Sequence, residues 1–259
     1  MKILVTFAVD TEFAPWRKRH DFVPVPLVGP ANGSVTKLFR SEKYEDELSV
    51  MLTGIGWDLP SQQIALQDVL KERPDICISA GLAGGLKPAH RHGKVLVARR
   101  IQLERNGRSV GSSASLVSAA IECGAEPVDA FVTYGRIVGK ASRKQELADY
   151  GDAVEMESYH VLSVARAAHV RAVSVRAISD TLDQDLPLDF GRVVDRRGHV
   201  LWARMLREVG GHPGSIPGLI RFGEQSRRAA AKLADFLDDY IEELTTSTLP
   251  PAMEAVGTA

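Results

Sequence analysis

The sequence has few cysteines, few aromatic residues and no excess of charge of either sign. Only two cysteines, Cys77 and Cys123, occur in 259 residues, and they do not form a CxxC pair. A disulfide framework and a cysteine-ligated zinc site are therefore not indicated. The 32 basic and 33 acidic residues give a net charge of -1, which provides no overall positive field to attract nucleic acid or an anionic membrane.

Long apolar runs are also missing. No stretch approaches the roughly 18 apolar residues that a membrane span requires. The opening MKILVTFAVDTE is too short for the core of a secretory signal and lacks a small-residue cleavage site. We expect a cytoplasmic protein that binds neither nucleic acid nor membrane. The basic run at residues 17–20 is expected to be solvated surface.

Short apolar runs rich in valine and isoleucine alternate with helical patterns. Such near-continuous apolar strands indicate a sheet that is covered by helices on both faces. The runs predict strands at residues 3–9, 76–80, 95–98 and 172–178, and helical spacing predicts helices at 61–72, 158–169 and 225–244. Residues 17–34 and 208–217 are rich in proline and glycine, which predicts loops or short elements that flank a binding site.

No repeat and no flexible linker divides the chain into two halves. We therefore predict an α/β fold with one domain over residues 1–248, because a chain of this length and apolar content can bury one large core. The last residues, 249–259, show no periodicity and predict a flexible tail.

Acidic residues stand at the ends of the predicted strands, where open α/β sheets bind their ligands. Glu12 follows the first strand in AVDTE, Asp180 follows the last in VRAISD, and Glu155 and Glu157 flank Met156 before a helix. Each also has an ordinary explanation. Glu12 can be an exposed loop acid, Asp180 can cap a turn, and acids in the first turn of a helix are favoured by its dipole.

Two glycine-rich segments also follow apolar runs, namely TGIGW at residues 53–57 and SAGLAGGLKP at residues 79–88. Gly81, Gly84 and Gly85 in the second segment imply a close approach of the backbone to another group. The segment lacks the Lys-Ser/Thr ending of a P-loop and the spacing of a dinucleotide fingerprint. Nucleoside triphosphates and NAD are therefore not favoured, and we expect neither a cofactor nor a metal.

The motifs TGIG, GLAGGL, AVEMES and VRAISD, in this order, resemble those of the purine nucleoside phosphorylase and nucleosidase superfamily. With Glu12 in AVDTE, the sequence is most similar to the methylthioadenosine/S-adenosylhomocysteine nucleosidases. The resemblance covers residues 1–12, 50–98 and 150–190. It implies a three-layer α/β/α sandwich around a mixed, partly closed sheet, a nucleoside substrate, and a homodimer or higher homo-oligomer.

The resemblance also implies roles for individual residues. Asp180 is expected to donate a proton to the purine N7, and Glu12 to activate the attacking water. Glu157 is expected to bind both ribose hydroxyls and Met156 to pack against the sugar. Phe190, Ile137 and Val138 are further substrate-binding residues by resemblance. Ala83, Gly84, Ser179 and Glu155 are additional candidates, and Glu155 can instead support the site or the end of the helix.

The chemistry of the reaction supports these acids independently. Cleaving an N-glycosidic bond builds positive charge on the sugar and negative charge on the departing base, so an acid beside the base and an anion beside the ribose both help. Asp180 is expected to keep its proton near neutral pH, because burial at the end of a strand disfavours the charged form.

The nucleophile is water or phosphate. The sequence has no early Gly-Asp-Pro-x-Arg loop of the kind that phosphorylases carry, and Glu12 at the nucleophile's position would repel phosphate, so hydrolysis is favoured. Arg40 is nevertheless a candidate for an anion site. Phosphate-dependent cleavage is the second hypothesis, and a nucleoside-binding protein without catalysis is the third.

The sequence departs from the nucleosidases at three places. Leu82 replaces a small hydroxyl residue, Trp57 adds bulk after TGIG, and residues 191–216 resemble an insertion. The substituent on the ribose 5′ carbon therefore stays open, with methylthioadenosine, adenosylhomocysteine and futalosine-like nucleosides as candidates.

Overall fold

The computed structural model describes residues 1–26, 36–41, 43–44, 47–57, 60–104, 107–188, 195 and 216–246. Phe190, the tail at 249–259 and nearly all of the insertion at 191–216 lie outside the described residues. Most of the predicted loop at 208–217 lies outside them as well.

Ten strands and six helices are formed by the described residues. The strands are β1 (Ile3–Phe7), β2 (Phe22–Val25), β3 (Lys37–Ser41), β4 (Leu48–Leu52), β5 (Ile76–Gly85), β6 (Val95–Leu103), β7 (Ser109–Gly111), β8 (Glu126–Thr133), β9 (Ala153–Glu155) and β10 (Arg171–Asp180). The helices are α1 (Asp10–Arg17), α2 (Pro60–Leu70), α3 (Ala114–Glu122), α4 (Ala141–Leu147), α5 (Ser158–Ala167) and α6 (Ile216–Thr246).

The strands form one mixed sheet. One part of it is an open sheet, and the other part closes on itself. The open side runs β2-β3-β4-β1-β5, where β1 is parallel to both β4 and β5. From β5 the sheet continues through β10, β6, β8 and β9, and β9 pairs with β5 again, so these five strands form a closed loop. The expectation of a mixed, partly closed sheet is confirmed.

Helices cover both faces of the sheet. One buried cluster joins the sheet to α1, α3 and α6, for example through Trp16, Leu116 and Leu237. A second cluster joins the opposite face to α2 and α5, for example through Leu66 and Leu162. The strands between them are buried on both sides, as their apolar composition predicted, and the three-layer α/β/α arrangement is confirmed.

Several element boundaries differ from the sequence prediction. β1 ends at Phe7 instead of residue 9, and β6 continues to Leu103 instead of ending at residue 98. β5 continues through the glycines to Gly85, because β9 and β10 both pair with this segment. Asp180 is the last residue of β10 rather than the residue that follows it. α6 begins at Ile216, well before the predicted position 225. The sequence pattern missed this start because the early turns of α6 are largely exposed and its buried apolar stripe begins only at Ala229.

Candidate active site

A buried arginine lies at the centre of the predicted acids. Arg176 on β10 is opposite Gly81 on β5 and is only 2% exposed. Its Nη2 donates to Glu155 Oε2 at 2.8 Å, to Ser158 Oγ at 2.8 Å and to Ser79 Oγ at 3.1 Å. Sequence analysis missed this residue, although a charged residue within the apolar run VSVRAIS was a usable signal. A guanidinium at such depth requires a paired carboxylate.

Both oxygens of Glu155 are used inside the protein. One accepts the hydroxyl of Thr133, and the other accepts Arg176 and the backbone N–H groups of Glu157 and Ser158, at 3.0 and 2.7 Å. Burial acts to raise its pKa, but the Arg176 charge and these hydrogen bonds lower the pKa of Glu155 overall. Glu155 therefore supports Arg176 and the start of α5 from beneath the site, instead of presenting an oxygen to a ligand.

Glu12 lies in the first turn of α1, and its side chain turns back towards the sheet. Its Oε2 accepts the N–H groups of Ala8 and Val9 at 3.2 and 3.4 Å, and its Oε1 accepts Leu82 N–H at 2.8 Å. Burial raises the pKa of Glu12, while these hydrogen bonds and the charge of Arg176 oppose the rise. The carboxylate therefore caps its own helix and also faces the site.

Glycine at position 81 gives Glu12 and Arg176 room to approach each other. A Cβ at Gly81 would be 3.0 Å from Glu12 Oε1 and 3.1 Å from Arg176 Nη1. Any larger residue there would therefore push the carboxylate and the guanidinium apart. The predicted close approach of a group to the glycine segment is observed. The groups that approach are the side chains of Glu12 and Arg176, and not a ligand.

Glu157 immediately precedes α5 and accepts the N–H of Gly56 at 2.9 Å through Oε1. Met156 lies beside the same turn, since its Cε is 3.5 Å from where a Cβ of Gly56 would lie. Burial, followed by repulsion from Glu155 and Glu12, raises the pKa of Glu157 to about 8, although Arg176 opposes this. The carboxyl groups of Glu12, Glu155 and Glu157 lie near the single guanidinium of Arg176. Glu157 therefore keeps a proton at neutral pH.

Asp180 has a different environment. Its Oδ1 accepts the hydroxyl of Ser179 at 2.6 Å, and its Oδ2 lies 2.5 Å from the ammonium of Lys144. Both oxygens face polar donors, so the surroundings of Asp180 differ from the apolar burial that the sequence suggested. Sequence analysis missed Lys144, because nothing in the local pattern of α4 marks it as buried.

Asp180 lies at a second position along β5. Its Oδ2 is 3.0 Å from the position of a Cβ on Gly84, which is three residues beyond Gly81, or about 10 Å along the strand. The Glu12–Arg176 pair and Asp180 therefore approach β5 at two different glycines. The structure brings Glu12 and Asp180 to the glycine-rich end of β5, and Glu157 interacts electrostatically with Glu12 and Arg176.

A family model described as Phosphorylase superfamily matches residues 2–207. The chain belongs to the phosphorylase superfamily.

Three solved structures show how far this superfamily member resembles known folds. A futalosine hydrolase mutant of Helicobacter pylori strain 26695 is 18% identical with a TM-score of 0.68, covering 94% of this chain and 99% of that one. The methylthioadenosine/S-adenosylhomocysteine nucleosidase of the same species is 19% identical with a TM-score of 0.69, covering 94% and 98%. The Neisseria meningitidis nucleosidase is 19% identical with a TM-score of 0.69, covering 93% and 98%. At such identity the likeness establishes the fold.

The remaining predicted site residues lie on the Asp180 side of this superfamily member. Ala83 is buried, and its carbonyl accepts the Ser179 hydroxyl at 3.3 Å. Val138 packs in a small buried cluster with Leu147 and Val154, while the neighbouring Ile137 is partly exposed.

Arg40 is not part of this site. It pairs with Ser49 near the beginning of β4, whereas the site lies beyond the other end of that strand, and its Nη2 binds Glu72 at 2.7 Å. The hypothesis of an anion site at Arg40 beside the nucleophile is therefore wrong. β3 runs antiparallel to β4, so Arg40 lies at the opposite end of the strands from the site. Within the described residues, no group of three potential ligands could hold a metal ion.

Proposed function

We propose that this protein hydrolyses the N-glycosidic bond of a purine nucleoside and releases the free base. The observation that carries the proposal is the position of Glu12, which accepts three backbone N–H groups and faces Arg176. Converging backbone N–H groups and an arginine are the donors from which an anion site is built. Because a carboxylate already occupies them, phosphate is repelled and water is the nucleophile.

On the sugar side of the proposed site, Glu12 is the general base and Glu157 is the residue that binds the ribose. Glu12 takes a proton from water, and its raised pKa makes it a better base near neutral pH than an ordinary glutamate. Glu157 forms hydrogen bonds with the ribose hydroxyls through Oε2, because Oε1 already accepts Gly56 N–H, and Met156 packs against the sugar. Arg176 orients the Glu12 carboxylate, while Glu155 holds Arg176 in place.

The base side of the proposed site is formed by Asp180 and its neighbours. Asp180 delivers a proton to the purine N7, with its carboxyl oriented by Ser179. Ala83, Gly84, Ile137 and Val138 bound the space for the base, and Phe190 stays a proposed contact outside the described residues.

The experiment compares a panel of purine nucleosides with and without inorganic phosphate, and separates free base, ribose and ribose 1-phosphate by chromatography. We expect base and free sugar without phosphate. Because the similar solved proteins are named futalosine hydrolase and methylthioadenosine/S-adenosylhomocysteine nucleosidase, 5′-substituted nucleosides are tested first. Cleavage only with phosphate, or tight binding without cleavage, contradicts the proposal.

We also propose that the enzyme acts in the cytoplasm as a homodimer or higher homo-oligomer. No helix among the described residues is long and apolar enough to span a membrane. Light scattering after size-exclusion chromatography tests the assembly, and a mass of one chain contradicts it.

A further inference from the structure

Lys144 on α4 is a lysine whose side chain is entirely buried. The ammonium has three hydrogen-bond donors and meets three acceptors, which are Asp180 Oδ2 at 2.5 Å and the carbonyls of Thr181 and Gln184, both at 2.8 Å. Lysine is almost never fully buried without such partners, because desolvating an ammonium costs several kcal/mol. Every donor of Lys144 is used by the protein, so it has none to offer a substrate.

Other titratable groups lie on the segments next to Asp180. His92 Nδ1 lies 3.0 Å from the carbonyl of Ser179, and Arg91, Asp183 and Asp185 lie on the adjoining loops. Hydrogen bonds from the Thr181 hydroxyl and the Ala141 N–H lower the pKa of Asp183 and of Asp185 respectively, and the Lys144 charge adds to both effects. Among the described residues, Lys144 alone forms an ion pair with Asp180.

We infer that Lys144 is a positioning residue that orients Asp180 towards the base and sets the pH at which its proton is transferred. This inference rests on the proposed function. In the acid step the C1′–N9 electron pair moves to the base, the O–H bond of Asp180 breaks and an N7–H bond forms. The carboxylate that results is stabilised by the ammonium beside it, so Lys144 makes Asp180 a stronger acid.

The test compares Lys144→Met and Lys144→Arg by measuring kcat against pH with the best purine nucleoside. A general acid loses activity as the pH rises above its protonation midpoint. Removing the neighbouring positive charge should therefore move this alkaline limb upward by about one to three pH units. We also expect the maximal kcat to fall at least tenfold in Lys144→Met. Lys144→Arg should keep the limb near its wild-type position.

Lys140→Met is the matched control. Lys140 adjoins the start of α4 and pairs with Asp185 at 2.9 Å, but its side chain is exposed. Its loss removes the same charge near the same segment and should leave the limb in place. If Lys144→Met lowers the rate without moving the limb, Lys144 only holds the fold and the inference is wrong.

A measurement without substrate separates this inference from the proposed function. The Asp180 carboxyl is titrated by carbon-13 NMR in the wild type and in Lys144→Met, with Asp180→Asn to assign the signal. The protonation midpoint should rise when the ammonium is lost, and an unchanged midpoint overturns the inference. If the midpoint rises but the wild type releases no base, the proposed function fails alone. If Lys144→Met does not fold, Lys144→Gln and Lys144→Arg give the same comparison.

Discussion

Glu155 and Glu157 are separated by one residue, and both are buried, yet their pKa values shift in opposite directions. The difference is contact with Arg176, which binds Glu155 directly and leaves Glu157 with the repulsion of its neighbours. Their roles in the site therefore differ for an electrostatic reason that the sequence motif AVEMES does not contain.

The raised pKa of Glu157 makes stability depend on pH. In the unfolded chain Glu157 loses its proton near pH 4.5, but in the folded protein only near pH 8. The contribution of Glu157 to the free energy of unfolding is therefore complete below pH 4.5, and it is lost as the pH rises to 8. Glu157→Gln should exceed the wild type in free energy of unfolding by about 1–3 kcal/mol at pH 8 and match it at pH 4. Urea titrations at both pH values test this, and a constant difference contradicts it.

The same variant tests the role of Glu157 towards the ribose. Because Glu157 is protonated near neutral pH, its bonds to the ribose are neutral hydrogen bonds worth about 0.5–1.5 kcal/mol each, so kcat/KM should fall roughly two- to tenfold. A 2′,3′-dideoxy nucleoside lacks these hydroxyls and should lose far less. Equal losses for the two substrates would show that Glu157 does not contact the ribose.

Asp180→Asn should lower kcat at least a hundredfold, because general-acid catalysis contributes about 10²–10⁴ in rate. It also leaves the Lys144 ammonium without its anion, so the free energy of unfolding should fall by about 3–5 kcal/mol. The double variant Asp180→Asn with Lys144→Met should recover part of the stability and none of the activity. Paired urea titrations and rate measurements test this, and recovery of activity would remove Asp180 from the acid's role.

At the scale of elements, β5 determines the shape of the site. Glycine is unfavourable in strands, so the sequence pattern ended this strand at residue 80. The structure extends it to Gly85, since β9 pairs with Gly84 and Gly85, and β10 pairs along its length. The missing side chains are what allow Glu12, Arg176 and Asp180 to lie against the strand.

Gly84→Ala tests this close approach. The added Cβ would lie 3.0 Å from Asp180 Oδ2 and 3.3 Å from Val154 Cγ1, so the carboxylate has to move. We expect kcat to fall about tenfold, since a displacement of 1 Å can cost up to 10² in rate. Gly111→Ala on β7 is the control, because nothing lies within 4 Å of its added Cβ. Equal kinetics for the two variants would contradict this role of Gly84.

At the scale of the whole molecule, α6 packs against α1 and the residues that follow α1, and it holds them in place. This contact is called the α6–α1 brace. Asp238 on α6 accepts Trp16 Nε1–H at 2.7 Å and Arg19 Nη1–H at 3.0 Å, and lies 2.6 Å from His20 Nε2. The expectation that the basic run at 17–20 is solvated is wrong for His20, whose side chain is 8% exposed, because α6 covers it. The same α6–α1 contact supports the helix that carries Glu12.

Asp238→Asn tests this brace. Burial acts to raise the pKa of Asp238, but hydrogen bonds with His20, Trp16 and Arg19 lower it overall. A lowered pKa stabilises the folded state above pH 3.8, and this contribution is lost as the pH falls through the folded pKa. The variant should lose about 1–2 kcal/mol at pH 7, the size of a hydrogen bond to a charged group, and less at pH 3. Thermal unfolding at both pH values checks it, and a larger loss at pH 3 contradicts it.

The sequence by itself determined the α/β layers, the near-continuous apolar strands and the order of motifs that marks the superfamily. These features follow from patterns within a few residues, where apolar spacing and glycine preferences act. Only the tertiary structure decided which charges meet. Arg176 binds Glu155 from 21 positions away, Leu82 donates to Glu12 from 70 positions away, and Lys144 is brought to Asp180 by the packing of α4. Burial and pairing of charges depend on such distant partners, so the protonation of each acid is a property of the fold.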